Sequence, residues 1–432
     1  MGGSAFSSRP DGLYTPRMPS EVYRRVVSAC HAVLRELFIC VATPIEGPGK
    51  NDHGDIDVLV ALERRVVFPK TPEDSVPKTP HELMEAIRGL LRAEYAIVQP
   101  TGESANLAIR WPSDMEHLLP NTQASKDKYI QVDVRICPGI DQLCWTLYKH
   151  AHGDIWNLIG STIRPFGLTV DEEALWLRIP EIEKLDRRKA RVYLTRDPVE
   201  ILHFLGMKVE GFWSEPFESV DALFDYATTC RLFWVRDTPD GEAEDEANEV
   251  GVAGGEQGRR RLTANDRRRL RGRPVYRRWL DEFIPGLRAQ RKFIRRGPGT
   301  SVEEMRATVR SEAFARFFVE PEYKRRLREW RLKREGAQAK SLIKQVVPSE
   351  LDSQFRSILV SAMRKILMQG DTSFGMAAPP DVKDADGFYD MQIIRSFVEK
   401  NWEPVGEAAW EIQLQKAQEA MRLKACTRNT EV

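Results

Sequence analysis

One stretch, Gly49-Lys-Asn-Asp-His-Gly-Asp-Ile-Asp-Val-Leu-Val60, constrains the fold of this 432-residue chain more than any other. Residues at i and i+2 of a strand share a face, so Asp55 and Asp57 project together. Ile56 points the other way, and Val58, Leu59 and Val60 carry the strand on into a core. Two same-facing carboxylates repel each other unless a cation lies between them, and a hard divalent cation suits an all-oxygen pair. Gly54, directly before the first Asp, lets a backbone approach a phosphate closely. An isolated Asp-x-Asp is more often a turn or a solvated strand end. The reading therefore needs a third carboxylate.

Lys128-Tyr-Ile-Gln-Val-Asp-Val-Arg-Ile-Cys137 supplies it. The segment alternates, with Tyr129, Gln131, Asp133 and Arg135 on one face and Ile130, Val132, Val134 and Ile136 on the other. If this strand neighbours Asp55–Leu62, three carboxylates meet around a shared pair of Mg²⁺ or Mn²⁺ ions. Two such ions, about 3.5–4 Å apart, activate a hydroxyl and stabilise a leaving pyrophosphate.

The surrounding sequence reads as an α+β protein. Residues 1–18 read as a flexible arm, and a helix follows from Ser20, with Val22, Val26, Cys30 and Leu34 on its apolar face. A strand is predicted at Phe38–Ala42, a loop at 44–54, and a helix over 81–93. Two further strands, 93–99 and 105–111, complete a mixed sheet within a domain at 19–138. Residues 139–236 read as mostly helical, ending in Asp197-Pro-Val-Glu, where Asp197 caps, Pro198 starts and Gly206 terminates a helix. An acidic then Gly-rich stretch, 237–258, reads as a disordered linker. Residues 259–432 form a basic helical region, with one long helix over 314–345.

Charge is uneven. The net charge is +1, yet residues 259–344 carry 27 Lys/Arg against 10 Asp/Glu. Arg259–Arg261, Arg267–Arg269 and Lys324–Arg326, interleaved with Phe317, Phe318, Tyr323 and Trp330, suit a DNA or RNA backbone. The bland alternative is a solvated helical face. The Arg triplets also have the form of a nuclear localisation signal. Six scattered cysteines without a Cys-x-x-Cys, and no apolar run long enough for a membrane span, predict an intracellular protein. His150-x-His152 with Cys144 fits no standard zinc spacing.

Gly49-Lys-x-x-x-Gly-Asp-Ile-Asp-Val-Leu-Val60 resembles the palm motif of the DNA polymerase beta (family X) nucleotidyltransferases. Val132-Asp-Val-Arg-Ile136, with Asp141-Gln-Leu-Cys144 and Gly153-Asp-Ile-Trp-Asn157, is similar to that family's third-carboxylate strand and the helix start behind it. Phe166-Gly-Leu-Thr169 and residues 197–207 are similar to its thumb. The likeness covers roughly residues 19–216, without the family's lyase and helix-hairpin-helix modules.

The resemblance implies a nucleotidyltransferase palm with a helical thumb-like domain and an added helical C-terminal domain. It implies transfer of a nucleoside monophosphate from an NTP or dNTP to a hydroxyl, such as a nucleic-acid 3′ end. Asp55, Asp57 and Asp133 become catalytic metal ligands, with Asp133 nearest the acceptor hydroxyl. Gly54 approaches the triphosphate, Asp154 and Asn157 meet the incoming base or sugar, and Arg135 backs the carboxylates. The chain departs from the family in the phosphate loop. The family's Gly-Ser pair falls on Pro44-Ile45 and its following basic residue on Pro48, none of which offers a side-chain donor. Lys50 and His53 are the local replacements. The rival expectation is a degenerate member that keeps the fold as a scaffold for nucleic acid or a protein.

Overall fold

The computed structural model describes residues 3–6, 12–119, 127–236, 272–294 and 301–429. The linker expected at 237–258 and the Arg triplets at 259–261 and 267–269 lie outside the described residues. The chain divides into two units, Met1–Val319 and Glu320–Val432.

The first unit begins with β1 (Met18–Pro19), α1 (Ser20–Leu34), β2 (Phe38–Ala42), β3 (Asp52–His53) and β4 (Asp55–Glu63). It continues with α2 (Pro80–Leu90), β5 (Tyr95–Val98), β6 (Ser104–Arg110) and β7 (Tyr129–Ile136). Five strands make one sheet in the order β2-β4-β7-β6-β5. β4 and β7 run parallel at its centre, and the other neighbours are antiparallel. A parallel pair needs a long crossover, which α2 and the β5–β6 hairpin supply.

Alternation then divides the sheet into two faces. Ile56, Val58, Val60, Val132, Val134 and Leu107 form a core with Val22, Val26 and Leu34 of α1 and Leu83, Met84 and Ile87 of α2. The other face carries the carboxylates. α1 starts without a side-chain cap, since its cap position is Pro19. At α2 the cap is Thr79, which accepts from Glu82 N–H, while Glu82 reaches back in a capping box.

Three sequence expectations change here. Residues 3–6 and 12–18 pack on the first unit instead of forming a loose arm. Phe6 is fully buried, and Met18 and Pro19 pair with β3. The thumb-like region contains α3 (Ile140–His150) and α4 (Ile155–Ile163), but then an antiparallel sheet of β8 (Leu168–Val170), β9 (Leu175–Arg178) and β10 (Arg191–Thr195). The period-two burial of Leu175 and Leu177 against partly exposed Trp176 and Arg178 is the strand signal. Finally, the helical region expected from 259 is divided. Trp279, fully buried, stacks on Phe283 and meets Phe224 and Phe233, which places residues 272–294 in the first unit.

α5 (Pro198–Phe204) follows its sequence expectation. Asp197 Oδ1 accepts from Val199 and Glu200 N–H at 2.8 and 3.2 Å. Asp197→Ala is expected to cost about 1 kcal/mol, read as a lower denaturant midpoint with an unchanged slope. The unit continues through α6 (Val220–Thr228) to α7 (Val302–Phe317). The single helix expected over 314–345 breaks at Phe318, which takes a left-handed conformation with φ 55°.

The second unit is helical: α8 (Glu320–Val346), α9 (Ser353–Arg364) and α10 (Met391–Asn429). Ala339, Ile343, Leu359, Met363, Ile394 and Val398 form its core. Among the described residues no helix is long and apolar enough to cross a membrane.

Candidate active site

The register of β4 on β7 decides the site. Asp57 pairs with Asp133, and Asp55 with Gln131. Residues directly paired in a sheet point to the same face. All three carboxylates thus stand on the open face. Asp57 and Asp133 border a cavity of about 250 Å³, whose lining also includes Asn106, Arg135, Pro44 and His150.

Amides, rather than lysine or arginine, hold two of the three. Asp133 Oδ1 accepts from Asn106 Nδ2 at 2.7 Å and from Gln131 Nε2 at 2.8 Å. Asp55 Oδ2 accepts from Gly3 N–H at 3.1 Å. Desolvation raises the Asp133 pKa, the two amides oppose it, and the Asp55 charge adds to the rise. Asp57 is exposed to the cavity, yet the protein packed around it displaces part of its solvent. That desolvation first, then the charges of Asp55, Asp133 and Glu46, push its carboxyl up to about 7, against the pull of Lys50.

A raised pKa means that the fold favours protonated Asp57. Its contribution to stability is fully present below about 3.8 and lost as pH rises through 7. At pH 8 without metal, Asp57→Asn is therefore expected to stabilise the protein. Solvent screening limits the gain to about 1 kcal/mol. The check is a melting-temperature profile from pH 4 to 8, in which wild type and variant diverge progressively from about pH 4 to 7 and the gap then levels off.

Among the described residues no group of three or more His, Cys, Asp or Glu side chains stands as a ready metal cage. The donor set nonetheless suits a hard cation. Three carboxylates on adjacent strands offer only oxygen, and desolvation together with the neighbouring carboxylate charges disfavours ionised Asp57 until positive charge arrives.

In the loop at 44–54, Lys50 and His53 meet a carboxylate of the protein itself. Lys50 Nζ donates to Glu46 Oε2, and His53 Nδ1 lies 3.6 Å from the same oxygen. Tyr23 OH donates to Glu46 Oε1 at 2.6 Å, and the Tyr23 ring stacks on His53 at 3.8 Å. Burial works to raise the Glu46 pKa, but His53, Lys50 and Tyr23 together hold it down at about 2. Glu46 and Tyr23 have no sequence signal: a lone loop Glu and a helix Tyr carry no spacing.

The remaining predicted residues are also engaged within the protein. Gly54 is covered by the backbone of Gly3. Asp154 Oδ1 accepts from Arg273 Nη1 at 2.7 Å and from Asn157 Nδ2 at 3.1 Å. Arg135 lines the cavity, while the donors to Asp133 are Asn106 and Gln131. Ile45 O accepts from His152 N–H at 2.8 Å, and Gly47 lies close against Gly153, so the loop at 44–54 is docked on His152-Gly153. In the basic region, Arg325 pairs with Glu322 and Glu329, Arg326 with Glu322, and Lys324 with Glu320.

No protein-family model matches the chain, and no curated protein matches it. Among solved structures, the chain is similar to the polymerase beta of Leishmania infantum in a ternary gap complex. That similarity has a TM-score of 0.31 and 14% identity, over 45% of this chain and 69% of the other. It is too slight to carry an argument, and the functional reading rests on the site's own geometry.

Proposed function

We propose that the chain is a nucleotidyltransferase that moves a nucleoside monophosphate from an NTP or dNTP to a hydroxyl, releasing pyrophosphate. The observation that carries this reading is the register of Asp57 opposite Asp133 with Asp55 two residues away on the same face. Asp55, Asp57 and Asp133 are the residues that would hold Mg²⁺ or Mn²⁺. When bound, such ions supply charge stabilisation to a transferring phosphoryl group and lower the pKa of an attacking hydroxyl. The protein's own part is to fix the carboxylates. Asn106 and Gln131 orient Asp133, while the rigid β4–β7 ladder sets its spacing from Asp57. A nucleic-acid 3′ end is the acceptor proposed, with basic residues of 259–344 meeting its phosphates.

A second reading, a catalytically degenerate scaffold, has one observation in its favour. Lys50 and His53, the loop's replacement donors, are both turned to Glu46. Labelled NTPs and dNTPs, Mg²⁺ or Mn²⁺, and mixed DNA and RNA acceptors separate the two. Incorporation by the wild type that is lost in Asp55→Ala supports the enzyme. No incorporation under any combination supports the scaffold.

A further inference from the structure

Residues 3–6 are seated on the sheet face that carries the carboxylates. Gly3 N–H donates to Asp55 Oδ2 at 3.1 Å, and Ala5 N–H donates to Gln131 Oε1 at 3.0 Å. Phe6 is fully buried against Ala108 and Tyr129. Thr15 Oγ1 donates to the Gly3 carbonyl at 3.0 Å and ties the segment to the chain leading into β1. The fit at Gly3 is tight. A Cβ there would stand 2.2 Å from the Gly54 carbonyl oxygen, and its φ of +84° is a glycine conformation.

Gln131 links this packing to the site. It is 3% exposed, and its amide takes Ala5 N–H on Oε1 while giving Nε2 to Asp133 Oδ1 at 2.8 Å. With both ends of the amide committed, a flip would set two donors face to face at one end and two acceptors at the other. The seated segment therefore fixes the side chain that orients Asp133. It also covers Gly54 and occupies one oxygen of Asp55.

We infer that residues 3–6 are a built-in plug over the Asp55 and Gly54 end of the carboxylate face, which must leave before these two residues can serve a metal and a substrate. The use made of the uncovered site rests on the proposed nucleotidyltransferase activity. A plug of this kind lowers apparent metal affinity by the fraction of molecules in which it is absent. Phe6 anchors the seated state by burying its ring, and Gly3 permits the close approach to Gly54.

The test uses the full-length protein, Phe6→Ala and Gly3→Val, each titrated with Mn²⁺ alone by calorimetry and thermal shift. Melting without metal confirms that each variant is folded. Both variants are expected to bind Mn²⁺ about tenfold more tightly than wild type. Deuterium uptake at residues 3–6 of the wild type is expected to rise on adding Mn²⁺. Equal Mn²⁺ affinity in all three proteins, or uptake unchanged by a metal that binds, overturns the plug and leaves the nucleotidyltransferase reading standing. No Mn²⁺ binding by any of the three overturns both.

Discussion

Asp133→Asn and Asp55→Ala are each expected to cut nucleotide incorporation about a thousandfold while the protein stays folded. The size follows from the several kcal/mol of charge stabilisation that a carboxylate-held cation gives a phosphoryl-transfer step. Asn at 133 keeps an oxygen for Asn106 and Gln131 but loses the charge, so structure and chemistry separate cleanly. Neither residue belongs to the apolar core behind the sheet. Asp114→Asn, whose carboxylate lies 3.8 Å from Arg25 with both side chains about two-thirds exposed, is the control and is expected to leave incorporation unchanged. Steady-state rates at saturating Mg²⁺ are the measurement. A fall in rate with unchanged KM points to the chemical step rather than binding.

Glu46→Gln is expected to remove an acid-sensitive share of stability. Glu46 is held at about 2, well below its ordinary 4.5, so its contribution is present above 4.5 and lost as pH falls through 2. A shift of that size corresponds to about 3 kcal/mol at neutral pH, before solvent screening reduces it. Tyr23, Lys50 and His53 together make it, so the neutral amide keeps the shape and loses most of the effect. Denaturant melts of wild type and variant at pH 7 and pH 3 check this. The difference at pH 7 should be clearly smaller at pH 3 and close only near pH 2. The same change frees Lys50 and His53, so an enzyme whose phosphate loop is limited by Glu46 would bind triphosphate more tightly in the variant.

The sheet and its carboxylate row are legible in the sequence because both depend on period-two alternation. Ile56, Val58, Val132 and Val134 name one face, and Asp55, Asp57 and Asp133 the other. That β4 and β7 are neighbours is a matter of strand pairing, which no local pattern encodes. Beyond the sheet, long-range contacts take over. Gly3 on Asp55 spans 52 residues and Arg273 on Asp154 spans 119, and neither leaves a mark in local sequence. The short strands β8 to β10 are hidden because three to five residues cannot establish a period against a helical background. Trp279 reads as one aromatic in a basic helix. Only its packing among Phe224, Phe233 and Phe283 shows that it closes the first unit.

Diffraction from crystals grown with Mn²⁺ and a non-hydrolysable nucleoside triphosphate, recorded at the manganese absorption edge, tests the central proposal most directly. Anomalous density contacting the carboxylates of Asp55, Asp57 and Asp133, absent from Asp57→Asn crystals, is the expected result. Density confined to other surface carboxylates, or none while nucleotide is bound, would contradict a metal-dependent nucleotidyltransferase at this site.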